Sequence, residues 1–243
     1  MGGRAPRELT TTHTVMADDA AALALWLQLH DAAFPAGRMV HSNGFEEWLA
    51  QRPGADAASI EAAALDFLAY GVAPLDATVT AAAWRVAAEP VRLRDLDTLL
   101  SSYKLFANAR TASVSAGGQL AVTAREIGLC DSASYVAAVV AGDAVGNLAV
   151  VEGALQAAIG VTVHTAVLGS LRSALSSVLS AAVRLGRLSP LAAQRIQVRH
   201  VGAVVAMASE ACVRPLDQTS STAIQLDISG MRHETRLQRS FAS

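Results

Sequence analysis

Leu29-His30-Asp31-Ala32-Ala33-Phe34-Pro35-Ala36-Gly37-Arg38-Met39-Val40-His41-Ser42-Asn43-Gly44-Phe45-Glu46-Glu47-Trp48 decides how the rest of the chain is read. An apolar run with helical spacing halts at Phe34-Pro35-Ala36-Gly37 and crosses a polar loop. It restarts with Phe45, Trp48 and Leu49 on one face. Upstream, Asp18 or Asp19 caps a helix running to Asp31, with Leu23, Trp26, Leu27 and His30 on one face. Downstream, Asn43 followed three residues later by Glu46 has the spacing of a capping box, and Gly44 permits close backbone approach.

The same helical period continues through the chain, with no sustained alternation of the kind a half-buried strand requires. Expected helices run from Ser59 to Tyr70 and Asp76 to Ala88, separated by Gly71 to Pro74, and from Leu96 to Val114, stopped by Gly117-Gly118. Others run from Ser132 to Ala141, Val145 to Ile159 and Val163 to Leu185. A last one, opened by Ser189-Pro190, extends to Val213 and is closed by Arg214-Pro215. The fold class is therefore all-α, a single-domain helical bundle with a partly flexible C-terminal tail. Residues 1–18 mix Gly, Arg, Pro and a Thr run without the apolar core of a signal peptide, which predicts a disordered extension. Met16, just before Ala17-Asp18-Asp19, is an alternative start. Residues 19–215 form the helical domain. Residues 216–243 are polar through Gln218 to Thr222, then regain Ile224, Leu226, Ile228 and Met231, as expected of a segment that docks on a partner.

Composition narrows the function. Over 243 residues, 52% are hydrophobic, enough for a real core, and the net charge of −2 gives no cationic surface for nucleic acid. Cys130 and Cys212 lie far apart without a C-x-x-C, which suits free thiols in the cytoplasm. Gly153 to Leu171 has no charged residue, which raises a helical membrane protein as an alternative. Its glycines, Gln156, Thr162, His164 and Thr165 argue for a buried core helix instead.

Enzyme chemistry is sparse. His41-Ser42 beside Glu46 and Glu47 is the one cluster that suggests a small helical hydrolase, but triads assemble from separate segments rather than neighbours. The six histidines have no i, i+4 pair, so no dedicated metal site is expected, although His233-Glu234 could touch a cation in passing. The single lysine, Lys104, lies in Ser101-Ser102-Tyr103-Lys104-Leu105, which excludes the Gly-Lys-Ser/Thr of a nucleotide-binding P-loop. The two ends of the chain remain unexplained by core packing. Arg239 and Phe241 combine a guanidinium fork with an aromatic anchor, residue types enriched where proteins bind one another.

The stretch Phe34 to Trp48 resembles the signature of the UreF family of urease accessory proteins. Met231-Arg232-His233-Glu234 and Arg239-Ser240-Phe241-Ala242-Ser243 are similar to that family's closing pattern, and Arg110, Ser113 and Gly117 match its Arg-x-x-Ser-x-x-x-Gly run. Arg38 and Met39 depart from the family's small Gly and Phe, and Arg187-Leu188-Ser189-Pro190-Leu191 departs from its Pro-Leu-Gly-Gln segment. The resemblance implies an all-helical, dimeric cytoplasmic scaffold without catalytic residues or a cofactor of its own. It implies binding to the accessory protein UreD, also called UreH, and with it recruitment of the GTPase UreG for GTP-dependent nickel insertion into apo-urease. It also implies that the C-terminal tail orders on the UreD/UreH partner. The expected partner-binding residues are Phe34, Pro35, Gly37, His41, Ser42, Gly44, Glu46, Arg110, Met231, His233, Glu234, Arg239, Phe241 and Ser243.

Overall fold

The computed structural model describes residues 19–129, 134–236 and 240–242. All regular structure among them is helical. The helices are α1 (Ala20–Leu29), α2 (Phe45–Ala50), α3 (Ala57–Arg85), α4 (Pro90–Tyr103), α5 (Ala107–Glu126), α6 (Ser134–Ala141), α7 (Leu148–Ile159), α8 (Val163–Arg184), α9 (Pro190–Arg199), α10 (Val201–Val213) and α11 (Ile224–His233). Two buried apolar clusters hold them. One joins α2, α3 as far as Ala81, α8, α9 and α10, and takes in Leu226 and Phe241. The other joins α1, the opposite face of α3 from Leu75 onward and α4 to α7. The described part of 216–243 is thus packed into the same core as the body.

Two punctuation marks in the sequence act differently from expectation, and one expected helix divides. Pro74 does not divide 57–85. The helix widens into π-type turns over Phe67–Ala77, which absorb the proline, and continues. A proline offers no N–H to the carbonyl one α turn back, here that of Tyr70. The Thr222 N–H donates to that carbonyl at 2.8 Å, and the Ser220 N–H to the Pro74 carbonyl at 3.3 Å. Tertiary structure supplies what the local sequence lacks.

Gly117-Gly118 does not stop a helix either. α5 runs straight through it, while the chain breaks earlier, at Lys104 to Phe106, and Pro90 opens α4 as its first residue. Gly117 is there for contact: a Cβ on it would lie 2.0 Å from the Gly146 carbonyl oxygen. The helix opened by Ser189-Pro190 divides at His200, whose ring contacts Glu61 of α3 at 2.6 Å. Ser189 caps it as expected, accepting from the Ala192 N–H at 3.1 Å.

Gly153 to Leu171 is not one helix, because Gly160, at φ 93°, ends α7 before α8 begins. Two other helices, Ala57–Arg85 and Val163–Arg184, are long and apolar enough to cross a membrane by length and composition. Both have their apolar windows half or more buried inside the bundle, the environment of core helices. Cys212 is a free, buried thiol, and Cys130 lies outside the described residues.

Candidate partner-binding site

The Phe34-Pro35-Ala36-Gly37 turn docks on the body rather than facing outward. Ala36 is fully buried, Phe34 packs against the second core cluster, and the Pro35 carbonyl accepts from the Thr123 hydroxyl at 3.0 Å. Gly37, at φ 70°, reverses the chain into a short 3-10 turn, Arg38–Val40. Arg38 then reaches inward. Its guanidinium donates to Glu152 Oε1 at 2.7 and 3.0 Å and to the Leu29 carbonyl at 3.1 Å, with both side chains largely buried. The departure from the family pattern at position 38 therefore carries a buried ion pair with α7, supported by the Leu29 carbonyl as a further acceptor.

Next comes the loop that crosses to α2. His41 and Ser42 are both buried, and burial lowers the His41 pKa. Asn43 and Gly44 both take positive φ, 51° and 82°, so Gly44 rather than Asn43 precedes the first helical residue. The expected capping box does not form. Glu46, 3% exposed, turns away from its own helix start and accepts from His233 Nε2 at 2.9 Å, the Ser240 N–H at 2.8 Å and the Phe241 N–H at 3.2 Å. Burial pushes the Glu46 carboxyl up, yet these three donors outweigh it and hold it below the usual carboxylate range.

The two ends of the sequence thus meet in space. α2 lies against α11 so closely that a Cβ on Gly44 would come within 2.6 Å of the Leu226 carbonyl oxygen. A Cβ on Gly230 would strike the Phe106 ring at 2.4 Å. Around this crossing, Trp48 Nε1 donates to Gln225, Arg236 pairs with Glu47 at 3.0 Å, and Arg232 donates to Gln51 at 3.1 Å. Glu234 accepts the Asn108 N–H at 2.8 Å, which ties α11 to α5. Phe241 is buried in the first core cluster with the Arg184 guanidinium over its ring at 4.3 Å, and the Ala242 N–H donates to the Val40 carbonyl at 2.9 Å.

Of the expected site residues, Gly44, Glu46, His233, Glu234 and Phe241 are brought together, with Met231 exposed on the outer side of α11. Arg110 stands apart. Exposed, it donates to the Lys104 carbonyl at 2.7 Å, where α4 ends. Arg239 and Ser243 lie outside the described residues. Gly230, which with Leu226 forms the other half of the helix crossing, was not singled out, although it directly precedes the quoted closing motif. The exposed stripe Ile224, Ile228 and Met231 was legible as i, i+4, i+7 spacing.

A UreF family model matches residues 54–201, between the two terminal motifs. Relatives described as urease accessory protein UreF extend the match to both ends. That of Bradyrhizobium diazoefficiens is 30% identical over 245 residues, covering 97% of this chain and 99% of the relative. That of Arthrobacter sp. (strain FB24) is 31% identical over 218 residues, covering 89% and 95%. That of Rhizobium leguminosarum bv. trifolii is 28% identical over 227 residues, covering 91% and 95%. Matched over more than half its length by the model and over nearly all of it by these relatives, the chain belongs to the UreF family of urease accessory proteins, which are not enzymes.

Proposed function

We propose that this chain is a cytoplasmic scaffold that binds the UreD/UreH accessory protein and, with it, recruits the UreG GTPase for nickel insertion into apo-urease. The observation that carries this reading is the meeting of the two family-like ends at α2 and α11. The inner side of α11 is anchored through Glu46 and His233, while Ile224, Ile228 and Met231 stand 66%, 45% and 42% exposed on its outer side. An apolar stripe on a helix whose other face is pinned suits a groove on a partner. Nickel is cargo here. In this reading the nickel is handled by the assembled complex.

A second apolar surface supports self-association. Val198 at the end of α9 and Val201, Val205 and Val213 on α10 are all exposed, and we infer that a second copy of this chain covers them in the homodimer. The test is co-expression with UreD/UreH, UreG and the urease subunits, followed by affinity capture through this chain and assay of urease nickel content. Capture of both partners by the parent chain, lost on Ile228→Glu, is the expected result. Undiminished capture and normal urease activation by that variant place the interface elsewhere.

A further inference from the structure

A cavity of about 170 Å³ opens between α3, α5, α8 and α11. Its size compares with the roughly 150 Å³ engineered cavity that takes up benzene. Phe67, Val72, Phe106 and Leu148 make much of the wall apolar. Two ion pairs also line it, Arg38–Glu152 and Lys104–Asp76, and each satisfies itself, the second with Lys104 Nζ at 2.7 and 2.8 Å from the two Asp76 oxygens.

Two buried polar groups in the same wall are left over, and a half-buried carboxyl stands beside them. Asn108 Nδ2 and Ser113 Oγ are buried with no hydrogen-bond partner among the described residues, and Ser113 is only 8% exposed. The Asp227 carboxyl also lines the cavity, and among the described residues no hydrogen bond or ion pair reaches it. Burial pushes that carboxyl up, and the nearby Lys104 charge pulls it back. The inventory is therefore an amide donor, a hydroxyl and a carboxyl acceptor around an apolar space.

The balance of charge selects among occupants. With both ion pairs closed on themselves, an anion would face the Asp227 carboxylate, and a cation would meet the unpartnered Asn108 amide donor. A purely apolar molecule would leave Asn108 Nδ2 and Ser113 Oγ unsatisfied and would strip water from the Asp227 carboxyl. A neutral group with a carbonyl oxygen and N–H donors side by side answers each of them.

We propose that this cavity is a binding site for a small neutral molecule of the carboxamide or urea type, its carbonyl accepting from Asn108 and Ser113 and its N–H donating to Asp227. A short apolar body, on the order of six heavy atoms in all for a space of this size, lies against Phe67 and Phe106. Gly44 and Gly230 of the α2–α11 crossing also line the cavity, but none of its three polar groups belongs to the Glu46–His233 contact, so the two roles can be tested apart.

The experiment is titration of the isotopically labelled full chain, followed by amide NMR, with three molecules of matched shape: isobutyramide, isopropyl methyl ketone and isobutyrate. Isobutyramide is expected to give saturable shifts in α5 near Asn108 to Ala116 and in α11 near Asp227, with a Kd on the order of millimolar for so few atoms. The ketone, lacking donors, should bind about tenfold more weakly, and the carboxylate should give no saturable shift. Ser113→Ala and Asp227→Asn should each weaken isobutyramide about fivefold or more without changing the melting temperature, and the second keeps the shape and polarity of the site. Equal binding of all three molecules, absence of saturable shifts up to the solubility limit, or ordered water that isobutyramide does not displace would each overturn the proposal. A site that takes the amide while partner capture fails would sink the scaffold role alone.

Discussion

Asp97 and Glu46 are both buried carboxylates that collect several donors, and they differ in what they hold together. Asp97, 1% exposed, accepts from the Tyr135 hydroxyl, the Gly146 and Asn147 N–H groups at 3.1 and 2.8 Å, and Asn147 Nδ2 at 3.2 Å. Burial, and then the Asp97 charge, push the Tyr135 pKa up, so the phenol stays a donor. Those donors come from α6 and the start of α7, helices inside the bundle. Glu46 draws instead on α11 and the residues beyond it. One carboxylate knits the body, and the other fastens the C-terminal segment onto it. The same chemistry serves global stability in one place and local docking in the other, because the elements joined differ in how many other contacts they have.

The contrast is sharpest under substitution. Asp97→Ala strands a phenol, two backbone N–H groups and an amide in the interior, and is expected to cost about 3–5 kcal/mol, a fall in melting temperature of about 10 °C. A melting temperature within a degree or two of the parent would mean that Asp97 holds little. Gly44→Arg adds a bulky group where a Cβ alone meets the Leu226 carbonyl, at a φ that side chains rarely adopt. It is expected to cost about 2–3 kcal/mol, concentrated in α2 and α11. Limited proteolysis should then cut between Leu216 and Arg236 while far-UV helicity falls little. Resistance equal to the parent's contradicts the close crossing.

Glu46→Gln keeps the shape but removes the charge that three donors share, for an expected loss of about 1–2 kcal/mol. Hydrogen exchange should quicken in α11 but not in α7, and uniform quickening would erase the distinction drawn between the two carboxylates. Acid should mimic this variant. Because the folded Glu46 pKa lies below its ordinary value, its contribution is complete above about pH 4.3 and is lost as pH falls through the depressed folded value. Tail protection that survives to that depth of acid, while the body remains folded, contradicts the role given to the ionised form. The smallest stability effect belongs to Ile228→Glu on the exposed stripe, within about 0.5 kcal/mol, with loss of partner capture as its one large consequence.

Much of this molecule was legible in its sequence, for reasons visible at particular positions. The apolar period of 3.6 is a local property, so all-helical structure and most helix centres follow from it. Ser189-Pro190 likewise acts within its own turn. The misreadings at Pro74, Gly117 and Asn43 share a cause: each residue's local preference was overruled by something distant. Thr222 supplies the donor that the Tyr70 carbonyl lacks, Gly146 fills the space beside Gly117, and Ser240 with Phe241 takes the carboxylate that a capping box would have used. Arg38–Glu152 was invisible for the same reason, its partners standing 114 positions apart. The motifs at both ends could be recognised, but not that they would be hydrogen-bonded to each other.

The placement of the Glu46 donors has a consequence for the chain's birth. They lie 187, 194 and 195 positions downstream. At about 5–20 residues per second, ribosomal synthesis needs roughly 10–40 s to travel from the carboxylate to its donors. During that interval α2 can form its helix, but the acidic side chain has only water to satisfy it and stays outside the core. The α2–α11 surface therefore matures last, after the bundle that carries it. A nascent chain still lacking those donors has α2 without the contact that seats the C-terminal segment against it.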